Sequence, residues 1–212
     1  CKAELREIIG HTPRLVMGST ELTSNAVGMQ YVVEAQPEEA LQLVGLLAEV
    51  PMSTAGSTRL LEFAFGMKVG AVIDYLLAKA TAITQSPYQC EHLQDLNEQA
   101  TAALAKLSEP LPPFVNNFRG LRLSLSQLSM SQSIPDALAG LLAVHVDQPE
   151  LFVGMAQMFL PDLSELKLVK GEPPVPLPQS LVPMADTVAF AALTDSAIGV
   201  SVGAGQEGGL VP

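Results

Sequence analysis

Gly199-Val200-Ser201-Val202-Gly203 matches the G-x-S-x-G pattern that presents a serine nucleophile on a strand–turn–helix corner. That chemistry needs an acid and a histidine later in the chain, and no histidine follows His145. Val200 and Val202 flank Ser201 as in an alternating strand, so the serine is expected inside a sheet, and no catalytic residue is assigned. The other histidines are His11, before Thr12-Pro13 in an expected turn, and His92. Cys90 and His92 are only two apart, so they do not share a helix face, and zinc sites want more ligands at better spacing. No metal or cofactor is expected. His145 shares a strand face with Asp147, a pairing that either tunes a pKa or is an ordinary solvated or hydrogen-bonded pair. The acidic clusters are Glu34, Glu38 and Glu39, and Asp95 with Glu98. Glu38 and Glu39 fall in the first turn of an expected helix, where negative charge suits the macrodipole. The glycines from Gly203 to Gly209 open no helix and so cradle no phosphate.

These residues sit in a chain of 212 with 48% hydrophobic side chains, 5% aromatics and no tryptophan. Such a length buries a sizeable core without metal or disulfide, and that core must be aliphatic. There are 22 acidic against 11 basic side chains, a formal net charge of −11. An acidic surface without a basic stripe is repelled by phosphate backbones and anionic membranes, which argues against nucleic acid as a partner. The longest mostly apolar stretch, Val182 to Gly205, is interrupted by Asp186, Asp195 and several glycines, so no transmembrane helix is expected.

The elements expected to position these residues form one α+β domain, 1–212, with an internal duplication. Gln36-Pro37-Glu38 recurs as Gln148-Pro149-Glu150, and the stripe Ala40, Leu43, Val44, Leu47 recurs 112 residues on as Phe152, Met155, Ala156, Phe159. Proline suits the first turn of a helix, and Pro51 and Pro161 are expected to end the two helices. A glycine-led strand precedes each helix, Gly28 to Ala35 and Gly140 to Asp147. Before each of these runs a strand whose apolar parity changes: Leu15, Met17 and Ser19 give way to Leu22, and Leu121, Leu123 and Leu125 to Leu128 and Met130. A parity change implies a β-bulge. Copy one spans about 13–67 and closes with a strand from Leu60 to Met67. A helical hairpin spans about 69–109. Copy two spans about 119–204, closes with Thr187 to Leu193 and Ile198 to Gly203, and contains a Pro-rich surface loop from Gly171 to Pro183. In its strand, Leu142, Val144 and Val146 make the cleaner apolar face. The fold expected is two pseudo-symmetric antiparallel sheet units with helices on one face, linked by the helical hairpin.

Pro13 to Gly18, Ser86-Pro87-Tyr88-Gln89-Cys90 leading to Asp95-Leu96-Asn97, Pro149-Glu150-Leu151 and Ala197 to Gly203 resemble uncharacterised envelope, lipoprotein-like proteins of Gram-negative bacteria. The resemblance implies export, to the periplasm or a lipid anchor, and a larger parent protein. It brings no activity, ligand or catalytic residue. Cys1 reads either as a lipid-modified cysteine or as the start of a fragment. An oxidising compartment disfavours free thiols. Cys1 and Cys90 both begin peripheral helices, and a Cys1–Cys90 disulfide is therefore expected. The chain-entropy model gives such a loop of about 90 residues roughly 4–5 kcal/mol as an upper figure. The function expected is a non-enzymatic extracytoplasmic domain that binds a partner protein or serves an envelope assembly. One alternative is a carrier of a hydrophobic ligand such as a lipid or acyl chain, which requires a large closed cavity lined by Leu and Met. The other is a hydrolase resting on Ser201.

Overall fold

A computed structural model describes residues 1–23, 27–51, 59–110, 112–131, 134–159, 161–164, 166–182 and 187–210. Pro183, Asp186, Val211 and Pro212 lie outside them. The fold is mixed α+β with two antiparallel sheets. The chain divides into two units, 1–47 with 71–110 and 48–70 with 111–212.

The first unit contains α1 (Lys2–His11), the hairpin β1 (Arg14–Leu22) and β2 (Val27–Glu34), α2 (Pro37–Gly45), most of α3 (Val69–Gln85) and α4 (Gln94–Leu107). Pro37 occupies the first turn of α2, as its missing N–H favours. The helix does not reach Pro51. Leu46 and Leu47 N–H bond to Leu43 and Val44 carbonyls at 3.1 Å, and this tight i→i+3 pattern ends it at Gly45. α3 and α4 form the expected helical hairpin. Asn97 pins their turn by accepting from Tyr88 N–H at 3.0 Å and donating to Tyr88 O at 2.9 Å. The expected Cys1–Cys90 disulfide is present, with Cα atoms 4.5 Å apart, and ties α1 to this turn. Beside it the Glu4 carboxylate accepts from Gln89 N–H at 2.6 Å, which holds its pKa below the usual value.

The second unit is built on a six-stranded antiparallel sheet in the order β3-β4-β5-β8-β7-β6. Its strands are β3 (Leu61–Gly66), β4 (Phe118–Ser131), β5 (Ile134–Val146), β6 (Val175–Pro176), β7 (Ala189–Leu193) and β8 (Ala197–Val202). It also carries the α-helices α5 (Pro113–Asn117) and α6 (Pro149–Phe159). β3, read in the sequence as closing copy one, is instead hydrogen-bonded to β4. Both expected bulges are present: the register shifts between Ser19 and Glu21 in β1 and between Leu125 and Gln127 in β4.

Opposite residues in an antiparallel register share a face, which separates the two sides of this sheet. Leu141, Ala143 and His145 lie on one side with Ser201, Gly199, Ala197 and Ala192. This side is buried, and its small residues are explained by chain passing close over it. A Cβ on Gly199 would strike Leu210, and one on Gly120 would strike Val50. Leu142 and Val144 lie on the other side and are less buried, with Leu142 exposed. The apolar face read from the sequence, Leu142, Val144 and Val146, is therefore the more open one only along the middle of β5; Val146 at its end, and Ala191 and Leu193 of β7 on the same side, are buried. The covered face hides its hydrophobicity because close approach selects Gly, Ala and Ser there.

Candidate functional site

In the β1–β2 hairpin of the first unit every residue of β1, and Met29 to Val33 of β2, is exposed. Its register places Leu15 opposite Val33, Met17 opposite Tyr31, and Ser19 opposite Met29. Beyond the bulge Leu22 pairs with Val27, and the extra residue returns Leu22 to the face that carries Met29, Tyr31 and Val33. Without that bulge Leu22 would point away. The charges, Arg14 ion-paired with Glu34 and Glu21 opposite Gly28, fall on the reverse face. Leu15, Met17, Leu22, Met29, Tyr31 and Val33 are between 57% and 76% exposed. The result is a continuous, uncharged apolar face open to solvent.

The second unit repeats this chemistry. Leu61, Phe63 and Phe65 on β3 share a side with Leu125, Leu123 and Leu121 on β4, and all three β3 residues are about half exposed. On the reverse side, Glu62 is held between Arg59 at 2.7 Å and Arg122 at 3.4 Å, with all three side chains nearly buried. Large apolar groups therefore face outward and the ionic cluster faces inward, the inverse of a solvent-adapted sheet face.

The strongest polar constellation centres on Glu39, whose side chain is only 11% exposed. Tyr75 and Lys79 lie four residues apart on α3, so both project from one helix face. The Tyr75 hydroxyl donates to Glu39 Oε1, and Lys79 Nζ donates to Oε2 at 2.7 Å. His11 Nδ1 stands 3.9 Å from the same oxygen, and the Lys79 ammonium lies 5.1 Å from the Tyr75 ring centre. An open cleft of about 780 Å³ adjoins this network, lined also by Glu7, Ile8, Ile83 and Tyr88. The hydrogen bonds from Lys79 and Tyr75 hold the Glu39 carboxyl below its usual range. Burial, and then the bond to Glu39, pushes the Tyr75 phenol up to about 12. A phenol that keeps its proton so far above neutrality is not a base there, and a carboxylate held ionised has no proton to give. The network is suited to tying α2 to α3. Sequence reading took Glu39 as a helix-start charge; the tyrosine–lysine spacing on α3 is the one local signal of its real partners.

Comparison with protein-family models, with curated proteins and with solved structures finds no match to this chain.

The remaining sequence candidates are dispersed. Ser201 lies fully buried in the middle of β8, between Leu141 and Phe190, and its hydroxyl has no hydrogen-bond partner among the described residues. His145 and Asp147 do not pair. Asp147 is ion-paired with Arg119, while His145 is buried on the covered sheet face, where burial and then Arg122 lower its pKa. His92 sits exposed in the short helix Glu91–Leu93. Glu38, Asp95 and Glu98 are exposed, whereas Glu34 is engaged by Arg14. Cys1, Glu4 and Cys90 are close enough to hold a metal, but their two sulfurs are bonded to each other. The same bond occupies the Cys1 sulfur that a thioether lipid would need. Gly203 and Gly205 adopt positive φ in a turn, followed by the short helix Glu207–Leu210.

Proposed function

We propose that this chain is a protein-interaction domain of an extracytoplasmic compartment and carries no chemistry of its own. The observation that carries this reading is the uncharged apolar face of the β1–β2 hairpin, open across six large side chains. Monomeric soluble proteins seldom leave a contiguous apolar patch much beyond a few hundred Å² without using it. The Cys1–Cys90 disulfide supports an oxidising compartment, since thiols are kept reduced in the cytosol. The acidic surface argues for a protein rather than a nucleic acid or an anionic membrane as the partner. No helix among the described residues is long and apolar enough to cross a membrane.

Native mass spectrometry of the purified chain tests the reading against a carrier of lipid or acyl chains. The interaction domain predicts the bare chain mass or protein complexes of it. A co-purified acyl or lipid adduct retained at the chain mass would overturn it in favour of the carrier.

A further inference from the structure

We propose that the occupant of the hairpin face is the same face of a second copy of this chain, packed about a two-fold axis. This inference rests on the interaction reading above and names its partner. A two-stranded hairpin standing alone is at best marginally stable in water, and becomes stable when its apolar face is covered. Taking roughly 150–200 Å² for each fully exposed large side chain, the six apolar residues leave roughly 600–700 Å² open per copy. Two such faces would bury roughly 1,200–1,400 Å² together, within the range of specific protein interfaces. The chain carries a net charge of −11, yet this face carries none, so two copies meet where their mutual repulsion is weakest. A charged peptide or an anionic bilayer would find no complementary group on it.

The register makes the face complementary to itself. It holds four cross-strand rows in succession: Leu15–Val33, Met17–Tyr31, Ser19–Met29 and, beyond the bulge, the row of Leu22. A two-fold axis lying in the interface, running across the strands between the second and third rows, superposes every row on another. The first row then lies over the partner's fourth, and the second over its third. Long Met17 is received by short Ser19, and the Tyr31 ring meets Met29, a favourable sulfur–aromatic contact. An isologous contact requires this kind of self-matching. The bulge after Ser19 is what makes the fourth row available, because it brings Leu22 onto the face.

Sedimentation equilibrium over the micromolar range, with apolar-dye binding measured alongside, tests the proposal. Wild type is expected to reach the mass of two chains. Met17→Glu should return it to one chain by placing a charge in the contact. Ser19→Trp should do the same by filling the receiving site while leaving the face apolar. All of these side chains are exposed, so far-UV circular dichroism and the intact Cys1–Cys90 bond should be unchanged in both variants. A dimer that survives Ser19→Trp overturns the proposed register. A one-chain mass at every concentration, with dye binding that Met17→Glu abolishes, overturns the second copy while leaving an interaction face for another protein. A one-chain mass with no dye binding sensitive to Met17→Glu overturns both readings.

Discussion

Replacing Glu39 by glutamine removes one negative charge and almost no volume from the junction of α2 and α3. Two hydrogen bonds are affected. The bond from the half-buried Tyr75 hydroxyl to a carboxylate falls in the charge-assisted range, roughly 1.5–3 kcal/mol, and glutamine restores about 1 kcal/mol of it as a neutral acceptor. Lys79 is 42% exposed, so solvent screening limits its share to less than about 1 kcal/mol. The expected loss is about 2 kcal/mol at pH 7, read by urea denaturation of the full chain followed at far-UV wavelengths. The pH dependence identifies the cause. The folded-state pKa of Glu39 is depressed below its ordinary value of 4.5, so its contribution is fully present above that value. It is lost as pH falls through the lower, folded value. The gap between wild type and Glu39→Gln should therefore hold steady from pH 7 down to the ordinary carboxylate range and close in stronger acid. Equal stability at pH 7, or a gap that persists undiminished in strong acid, refutes the reasoning.

Three further outcomes follow from single sites. The chain has three tyrosines, and phenolate absorbance should show one of them, Tyr75, titrating near 12; Glu39→Gln should move that transition down but leave the part due to burial. Stability tied to Tyr75 is fully present below its unfolded value near 10 and is lost as pH rises through about 12. Glu62→Gln removes the carboxylate charge that Arg59 and Arg122 share beside the β3–β4 pair, and should cost about 3 kcal/mol in the same urea assay. Ser201→Ala removes a buried hydroxyl that has no partner among the described residues, so it should be neutral or stabilise by about 1 kcal/mol, and a fluorophosphonate probe should not label wild-type Ser201.

What the sequence revealed follows from which interactions are local. The parity changes at Leu22 and Leu128 announced two bulges, because alternation is a property of consecutive residues. Pro37 and Pro149 marked helix starts for an equally local reason. The cysteines at two peripheral helix starts pointed to the disulfide, which in a chain with only two cysteines leaves one pairing. Long-range features stayed hidden. Glu39 meets partners 36 and 40 residues away, and its place in a first helical turn offered a sufficient local explanation. β3 was grouped with the hairpin that precedes it, although its hydrogen-bond partner β4 begins some fifty residues later. The covered face of β5 was missed because close-passing chain selects small residues, so its burial leaves no hydrophobic signature. The apolar hairpin face was legible as alternation, but alternation is ordinarily read as burial, and only the three-dimensional arrangement exposes it.

Hydrogen–deuterium exchange, resolved to the hairpin peptides and followed as a function of protein concentration, tests most directly whether this face is an interaction surface. In dilute solution the amides of β1 and β2 should exchange far faster than those of β4 and β5, because an uncovered two-stranded hairpin opens locally at little cost. Protection of the hairpin should rise with concentration in wild type and stay low in Met17→Glu. Hairpin amides already as protected as the β4–β5 pair in dilute solution, with no response to concentration or to Met17→Glu, would contradict the account.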